Sequence, residues 1–190
     1  MSAISPPERP MRADARRNRQ LILEAARELY ADANRQVQVD DIADRAAVGV
    51  GTVYRHFPTK EALMGELVRE RFASFAQHAR EAVASDGEPF VVLADLLRRN
   101  AEHMARDAAT RHAISGASDE VWAYASSEHD ALLALAAELV DRGHRAGSLR
   151  ADFTVEEIPM LMCGVSATMT NAAFDWRRHL ELVLDGLRAR

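Results

Sequence analysis

The stretch from Val39 to Lys60 limits the fold of this chain more than any other. Ile42, Ala43 and Ala46 recur at helical spacing, which predicts a short helix over roughly Val39–Ala46. Asp40, Asp41 and Asp44 fall near its first turns, where carboxylates favour the positive end of the helix dipole. Ala47, Val48 and Gly49 leave room only for a turn, with Val48 filling the corner. A second helix is expected from Val50 to about Phe57. Val53 and Phe57, four apart, should face inward, leaving Gly51, Thr52, Arg55 and His56 outside. Pro58 cannot continue that helix. Thr59 is placed to cap the next one, and Lys60 stands at its start, where amides and a cation together suit a phosphate. Two short helices about a tight turn make a helix-turn-helix. Thr52, Tyr54, Arg55 and His56 suit the edge of a nucleic-acid groove, and Gly51 lets the backbone approach closely.

The rest of the chain reads as helix almost throughout. Its 190 residues can bury a full core in one or two domains, and 48% hydrophobic with 28% charged residues is ordinary for a globular protein. Only nine Gly and six Pro interrupt it, and no run of alternating β-branched residues proposes a sheet, so the fold class is all-α. A first helix over about Ala15–Ala31 repeats Ile22, Ala25, Ala26, Leu29 and Tyr30 and should pack across the helix pair. A long helix from Lys60 to about Ala84, with Met64, Leu67, Val68, Phe72 and Phe75 inward, would join head to body. Helices over about 90–107, 108–114, 119–146, 154–173 and 175–188 complete a count of about nine. Ser118 is read as one cap and Thr154 with Glu157 as a capping box. Expected boundaries are a disordered basic arm over 1–13, a DNA-binding domain over 14–62 and a helical body over 63–190.

Charge separates the two parts. Residues 1–60 hold ten Lys and Arg against eight Asp and Glu, whereas the remainder holds fourteen against twenty-one. A mildly basic head on an acidic body fits local phosphate contact and argues against a general nucleic-acid coat protein. The single cysteine, Cys163, excludes an internal disulfide, fits a reducing cytoplasm and is expected as a buried small hydrophobe. The opening residues lack the apolar core of a secretory signal, and Pro159, Ser166, Thr168, Thr170 and Asn171 interrupt the longest apolar stretch, so no membrane partner is expected. Enzyme signatures are missing too. Gly49-Val50-Gly51 begins like a dinucleotide fingerprint, but Tyr54 occupies the third glycine position and no strand precedes it. The seven His have no convincing metal-ligand spacing, so neither a metal nor a cofactor is expected.

The stretch from about Arg17 to Leu67 resembles the DNA-binding domain of the TetR family of bacterial transcriptional regulators. The residues that carry the likeness are Ile42-Ala43, Val48, Gly51-Thr52-Val53-Tyr54-Arg55-His56-Phe57 and Lys60. Three positions depart from the family pattern. Gln38 stands where Thr or Ser usually caps the first helix of the pair, Ala47 where the turn often has Gly, and Gly49-Val50 where Ser and a basic residue are frequent. Gly is still an acceptable N-cap, and a Val50 methyl could meet a thymine methyl. The resemblance implies DNA contacts from Arg17, Gln38, Gly49, Val50, Gly51, Thr52, Tyr54, Arg55, His56, Thr59 and Lys60.

A helix apolar on nearly all sides, followed by an amphipathic C-terminal helix, calls for more partners than one small body offers. Pairing with the same helices of a second chain would give a four-helix interface, which the resemblance also implies. Ile158, Leu161, Met162, Val165, Trp176, Leu180, Val183 and Leu187 are its expected members. Two heads then read a palindromic double-stranded operator. The family further implies a small-molecule pocket in the body, for which Phe90, Leu93, Leu97, His103, Met104, Trp122, Tyr124, Met160 and Met169 are candidate walls. The expected function is a homodimeric repressor released from its operator by a small apolar effector. The alternative keeps the same fold but answers to a protein partner, or activates, with no small ligand.

Overall fold

The computed structural model of the protein describes residues 8–32 and 37–189. Among them the chain forms nine helices, α1 (Glu8–Tyr30), α2 (Val39–Arg45), α3 (Val50–His56), α4 (Lys60–Val83), α5 (Pro89–Arg106), α6 (Ala108–Ser115), α7 (Asp119–Arg145), α8 (Glu157–Thr168) and α9 (Trp176–Leu187). The described residues form no strand, only an isolated bridge between Leu149 and Arg188. The all-α class and the helix count agree with the sequence reading.

Side chains that satisfy the first free amides set most of the helix starts. The Thr59 hydroxyl accepts the Ala62 N–H at 3.0 Å, and the Glu88 carboxylate accepts those of Phe90 and Val91 at 3.0 and 2.9 Å. Asp107 accepts the Thr110 N–H at 2.9 Å, and one Asp175 oxygen accepts those of Arg177 and Arg178 at 3.0 Å. Ser118 caps α7 through the Val121 N–H at 3.4 Å. At the other end of α7, Gly147 takes φ 63°, and the Ser148 and Gly147 amides return to the Gly143 and His144 carbonyls.

Three apolar clusters are strung along α4. Leu63 and Leu67 join the head cluster with Ile22, Leu23, Ile42, Val53 and Phe57. Val68, Phe72 and Phe75 join a second with Ala113, Val121 and Ala125. Ala79 reaches the largest, around Phe90, Leu93, Leu97, Leu139, Val165 and Leu184. The long helix thus carries the head core directly into the body. Its closest approach is to α7, where a Cβ on Gly65 would lie 2.7 Å from the Tyr124 side chain.

Four expectations change. Helix α1 begins at Glu8, so the expected arm is already helical from there, and its residues 1–7 lie outside the described residues. Helix α8 ends at Thr168 rather than near Ala173, and Thr170 and Asn171 fall in the turn before α9. The Thr154 N–H does donate to Glu157 at 2.8 Å, but that bond closes a turn ahead of α8, which starts at Glu157 itself. Cys163 is exposed, not buried. The apolar residues all round α8 concealed which face its own core would take. Val165 and Ile158 turn inward, while Met160, Cys163, Gly164 and Ala167 form an outward stripe at helical spacing.

Candidate nucleic-acid interface

A buried scaffold holds α3. Ile42 and Ala43 on α2 and Val53 on α3 are at most 2% exposed, and Phe57 closes α3 from inside. Each large side chain removed from water contributes about 1.5–3 kcal/mol, so this set outweighs the conformational cost of the turn it encloses. That turn is paid for locally at Ala47, which takes φ 53°, in the left-handed region where a Cβ is disfavoured. The Val48 N–H returns to the Ala43 carbonyl at 3.0 Å and the Ala47 N–H to Asp44 at 3.2 Å, satisfying the end of α2. Gln38 begins α2 without the hydroxyl that the family favours. Instead the Asp41 carboxylate accepts the Gln38 N–H at 2.9 Å and closes the start from the third position.

On this scaffold α3 presents a continuous outer edge. Gly49, Val50, Gly51, Tyr54 and Arg55 are exposed, with Thr52 and His56 half-buried beside them. A Cβ built on Gly49 or Gly51 would meet nothing within 4 Å, so the chain's own packing makes no demand for glycine there. Thr59 and Lys60 continue the exposed edge past the Pro58 stop. The Lys60 ammonium lies 5.6 Å from the Tyr30 ring centroid. Burial, with Glu61 nearby, pushes the Tyr30 hydroxyl up to about 12, so that ring stays neutral. Arg17 is exposed on α1.

His56 is held in its neutral form. Partial burial lowers its pKa first, and the positive charges of Arg19 and Arg55 lower it further. Arg19 is not among the residues to which the resemblance assigns a DNA contact. Its guanidinium stacks over the Phe57 ring at 4.6 Å and pairs with Glu66 of α4 at 2.7 Å. Glu66 also pairs with Arg69 at 2.7 Å, and Arg69 reaches Glu128 of α7 at 2.7 Å. A run of charges therefore connects the end of α3 to the body. In the sequence the only trace of this run is the basic group Arg16, Arg17 and Arg19.

Comparison with known proteins gives this geometry its family. Residues 22–67 match the family described as bacterial regulatory proteins, tetR family, and residues 88–189 match the C-terminal domain of SbtR-like transcriptional regulators. The chain belongs to the TetR family. It is similar to the HTH-type transcriptional repressor KstR2 of Rhodococcus jostii (strain RHA1), at 28% identity over 187 residues, 87% of this chain and 89% of that protein. A TetR transcription regulatory protein from Mycobacterium vanbaalenii is 36% identical, with a TM-score of 0.64 over 95% of this chain and 100% of its own. FadR from Bacillus subtilis, solved in complex with stearoyl-CoA, shares the fold at a TM-score of 0.71 and 22% identity, over 88% of this chain and 98% of its own. As a TetR-family member the chain is a DNA-binding transcriptional regulator and not an enzyme.

Within this TetR-family body, the residues expected to wall an effector pocket are spread over several places. Phe90, Leu93 and Leu97 are core, with Met169 packed against them, while Met104 and Trp122 pack on the second cluster. His103 accepts a hydrogen bond from Arg71 at 3.1 Å and lines an open groove between head and body. Tyr124 and Met160 are 44% and 62% exposed and line no interior. Tyr124, a candidate wall residue, instead lies against Gly65 of α4.

Four of the eight residues expected at a dimer face turn into the chain's own core. Ile158, Val165, Leu180 and Leu187 lie in the chain's own core, and Leu161, Met162 and Trp176 pack partly against it. Val183 is half-buried. The large apolar residues left outside on α8, α9 and the turn joining them are Met160, Phe174 and Leu182, each more than half exposed.

Proposed function

We propose that this protein is a sequence-specific, homodimeric repressor whose two heads occupy a palindromic operator. The observation that carries the reading is the exposed edge from Gly49 to Lys60, held on a buried scaffold. Its backbone is open at both glycines. Phosphate contacts fall to Tyr54, Thr59, Lys60 and the α1 arginine Arg17, while Thr52, Arg55 and Val50 read base edges. Selection of bound DNA from a random pool tests this directly. A palindrome with half-sites one helical turn or a multiple apart is expected, and enrichment of no palindrome refutes the dimeric reading.

The second chain is expected to sit on the outward stripe of Met160, Cys163, Gly164 and Ala167, together with Leu182 of α9. Small residues at the centre allow close helix approach, and exposed large apolar groups at its rim favour a partner over water. The effector is expected to be small and apolar, taken up by the body core that holds Phe90, Leu93 and Leu97 with Met169 packed against it. The stearoyl-CoA of the B. subtilis FadR structure supports the capacity of this fold to hold an apolar chain. Ligand release of DNA requires unequal affinity for the two head spacings. A panel of apolar metabolites should therefore raise the melting temperature and weaken operator binding together. A panel that does neither favours a protein partner.

A further inference from the structure

The groove between head and body is built differently from the apolar interior. Its walls come from Arg27, Glu28 and Ala31 at the end of α1, Arg71 of α4, His103 and Arg106 of α5, and the Asp107–Ala109 start of α6. This open groove offers about 420 Å³, room for a small polar molecule, and three alanines leave the space free. Three arginines face two carboxylates there, and both carboxylates are already engaged. Glu28 pairs with Arg45. Asp107 pairs with Arg71 and accepts the Thr110 amide and hydroxyl at 2.9 and 2.8 Å.

The cations have capacity to spare. Arg106 is 75% exposed and lies 3.8 Å from Glu102, whose two oxygens are taken by Arg177 at 2.9 and 3.1 Å. Arg71 donates to His103 Nδ1, which leaves the proton of the neutral ring on Nε2 as a further donor. Arg27 pairs with Glu70 through only one of its terminal nitrogens, Nη2. Burial and the charges of Arg71, His78, Arg106 and Arg99 all disfavour a proton on His103, as expected where positive potential collects.

We propose that this groove is a binding site for a small oxyanion, a phosphoryl or carboxylate group, held by Arg106, Arg27 and His103 with Arg71 behind them. Planar guanidinium forks match such groups with charge-assisted hydrogen bonds. The ligand would bridge α1 of the head to α5 and α6 of the body, and so fix their relative position. The site is separate from the apolar effector region, and its test needs no operator.

Isothermal titration of the full chain with pyrophosphate and with citrate, at constant ionic strength, tests it. Saturable one-to-one binding of at least one is expected, weakened about tenfold in Arg106→Ala and in Arg27→Ala. The His103 ring signals should move on saturation. Arg145→Ala, an exposed arginine at the end of α7, should leave binding unchanged. Binding of pyrophosphate alone identifies a phosphoryl ligand, of citrate alone a carboxylate, and of both a general oxyanion site. The proposal is overturned if neither probe binds saturably, or if Arg145→Ala weakens binding as much as Arg106→Ala does.

Discussion

Ala47 holds a left-handed conformation that costs an alanine about 1–2 kcal/mol, and its side chain is exposed. Ala47→Gly should therefore stabilise the protein by about 0.5–1 kcal/mol, the relief being partly offset by the freer unfolded chain. Chemical denaturation reads this directly, and a loss of stability would contradict the turn geometry. His56 gives a second expectation at this scale. Its pKa is depressed in the free protein by burial and by Arg19 and Arg55, and a DNA phosphate beside it would raise it. Operator binding should then take up a proton and tighten as pH falls from 8 towards 6. His56→Gln should flatten that profile, and a profile unchanged in the variant would remove His56 from the contact. Among the contact residues, Tyr54→Phe should weaken all DNA sequences alike, whereas Arg55→Ala should relax preference at particular bases.

At the scale of elements, the contact between α4 and α7 decides how head and body are joined. Gly65 faces Tyr124 so closely that a methyl would have to displace its Cβ and ring, which are tied to the α7 backbone. Gly65→Ala gains helix propensity of up to about 1 kcal/mol, yet overpacking of this kind costs about 1–3 kcal/mol, so the net effect should be destabilising. A lower melting temperature is the expected result, and a rise would show that α7 gives way freely. The charges from Arg19 through Glu66 and Arg69 to Glu128 span the same junction. These pairs are partly exposed and individually contribute little to stability, so their value lies in fixing direction.

Across the whole molecule, several depressed pKa values act together. Burial raises the pKa of Asp107 and Glu66, but hydrogen bonds and neighbouring arginines outweigh it, and both end below the ordinary carboxylate range. His103 and His56 also titrate below their ordinary value, chiefly through burial. A depressed folded-state pKa stabilises the fold above the unfolded value and loses that contribution as pH falls through the folded one. Melting temperature should thus begin to fall below about pH 6.5, the ordinary histidine value, and fall again through the acid range. A flat profile between pH 7 and 5 would mean that the histidines are as free as in the unfolded chain. The outward α8 stripe has its own test at this scale. Met160→Glu should shift a dimer towards monomer in sedimentation without loss of helix content.

Local patterns in the sequence were sufficient for the head. The spacing of Ile42, Val53 and Phe57, the Pro58 stop and the Thr59 cap depend on neighbours within a few residues, and α2, α3 and the start of α4 follow from them. The positive φ at Ala47 had a signal only in the resemblance, where that turn position often holds Gly. The long helices of the body were legible too, but among their N-caps only Ser118 was, and Glu88, Asp107 and Asp175 emerge from the structure. Which apolar face of α8 turns inward was not, because residues apolar all round carry no phase, and only the packing of α5 and α9 against Val165 and Ile158 selects it. The partners of Arg19, and the meeting of Arg27, His103 and Arg106 in one groove, join residues far apart in the chain. Charge position along a sequence says nothing of such pairings. They are set when α1 and α6 pack against α4, and so belong to the tertiary structure alone.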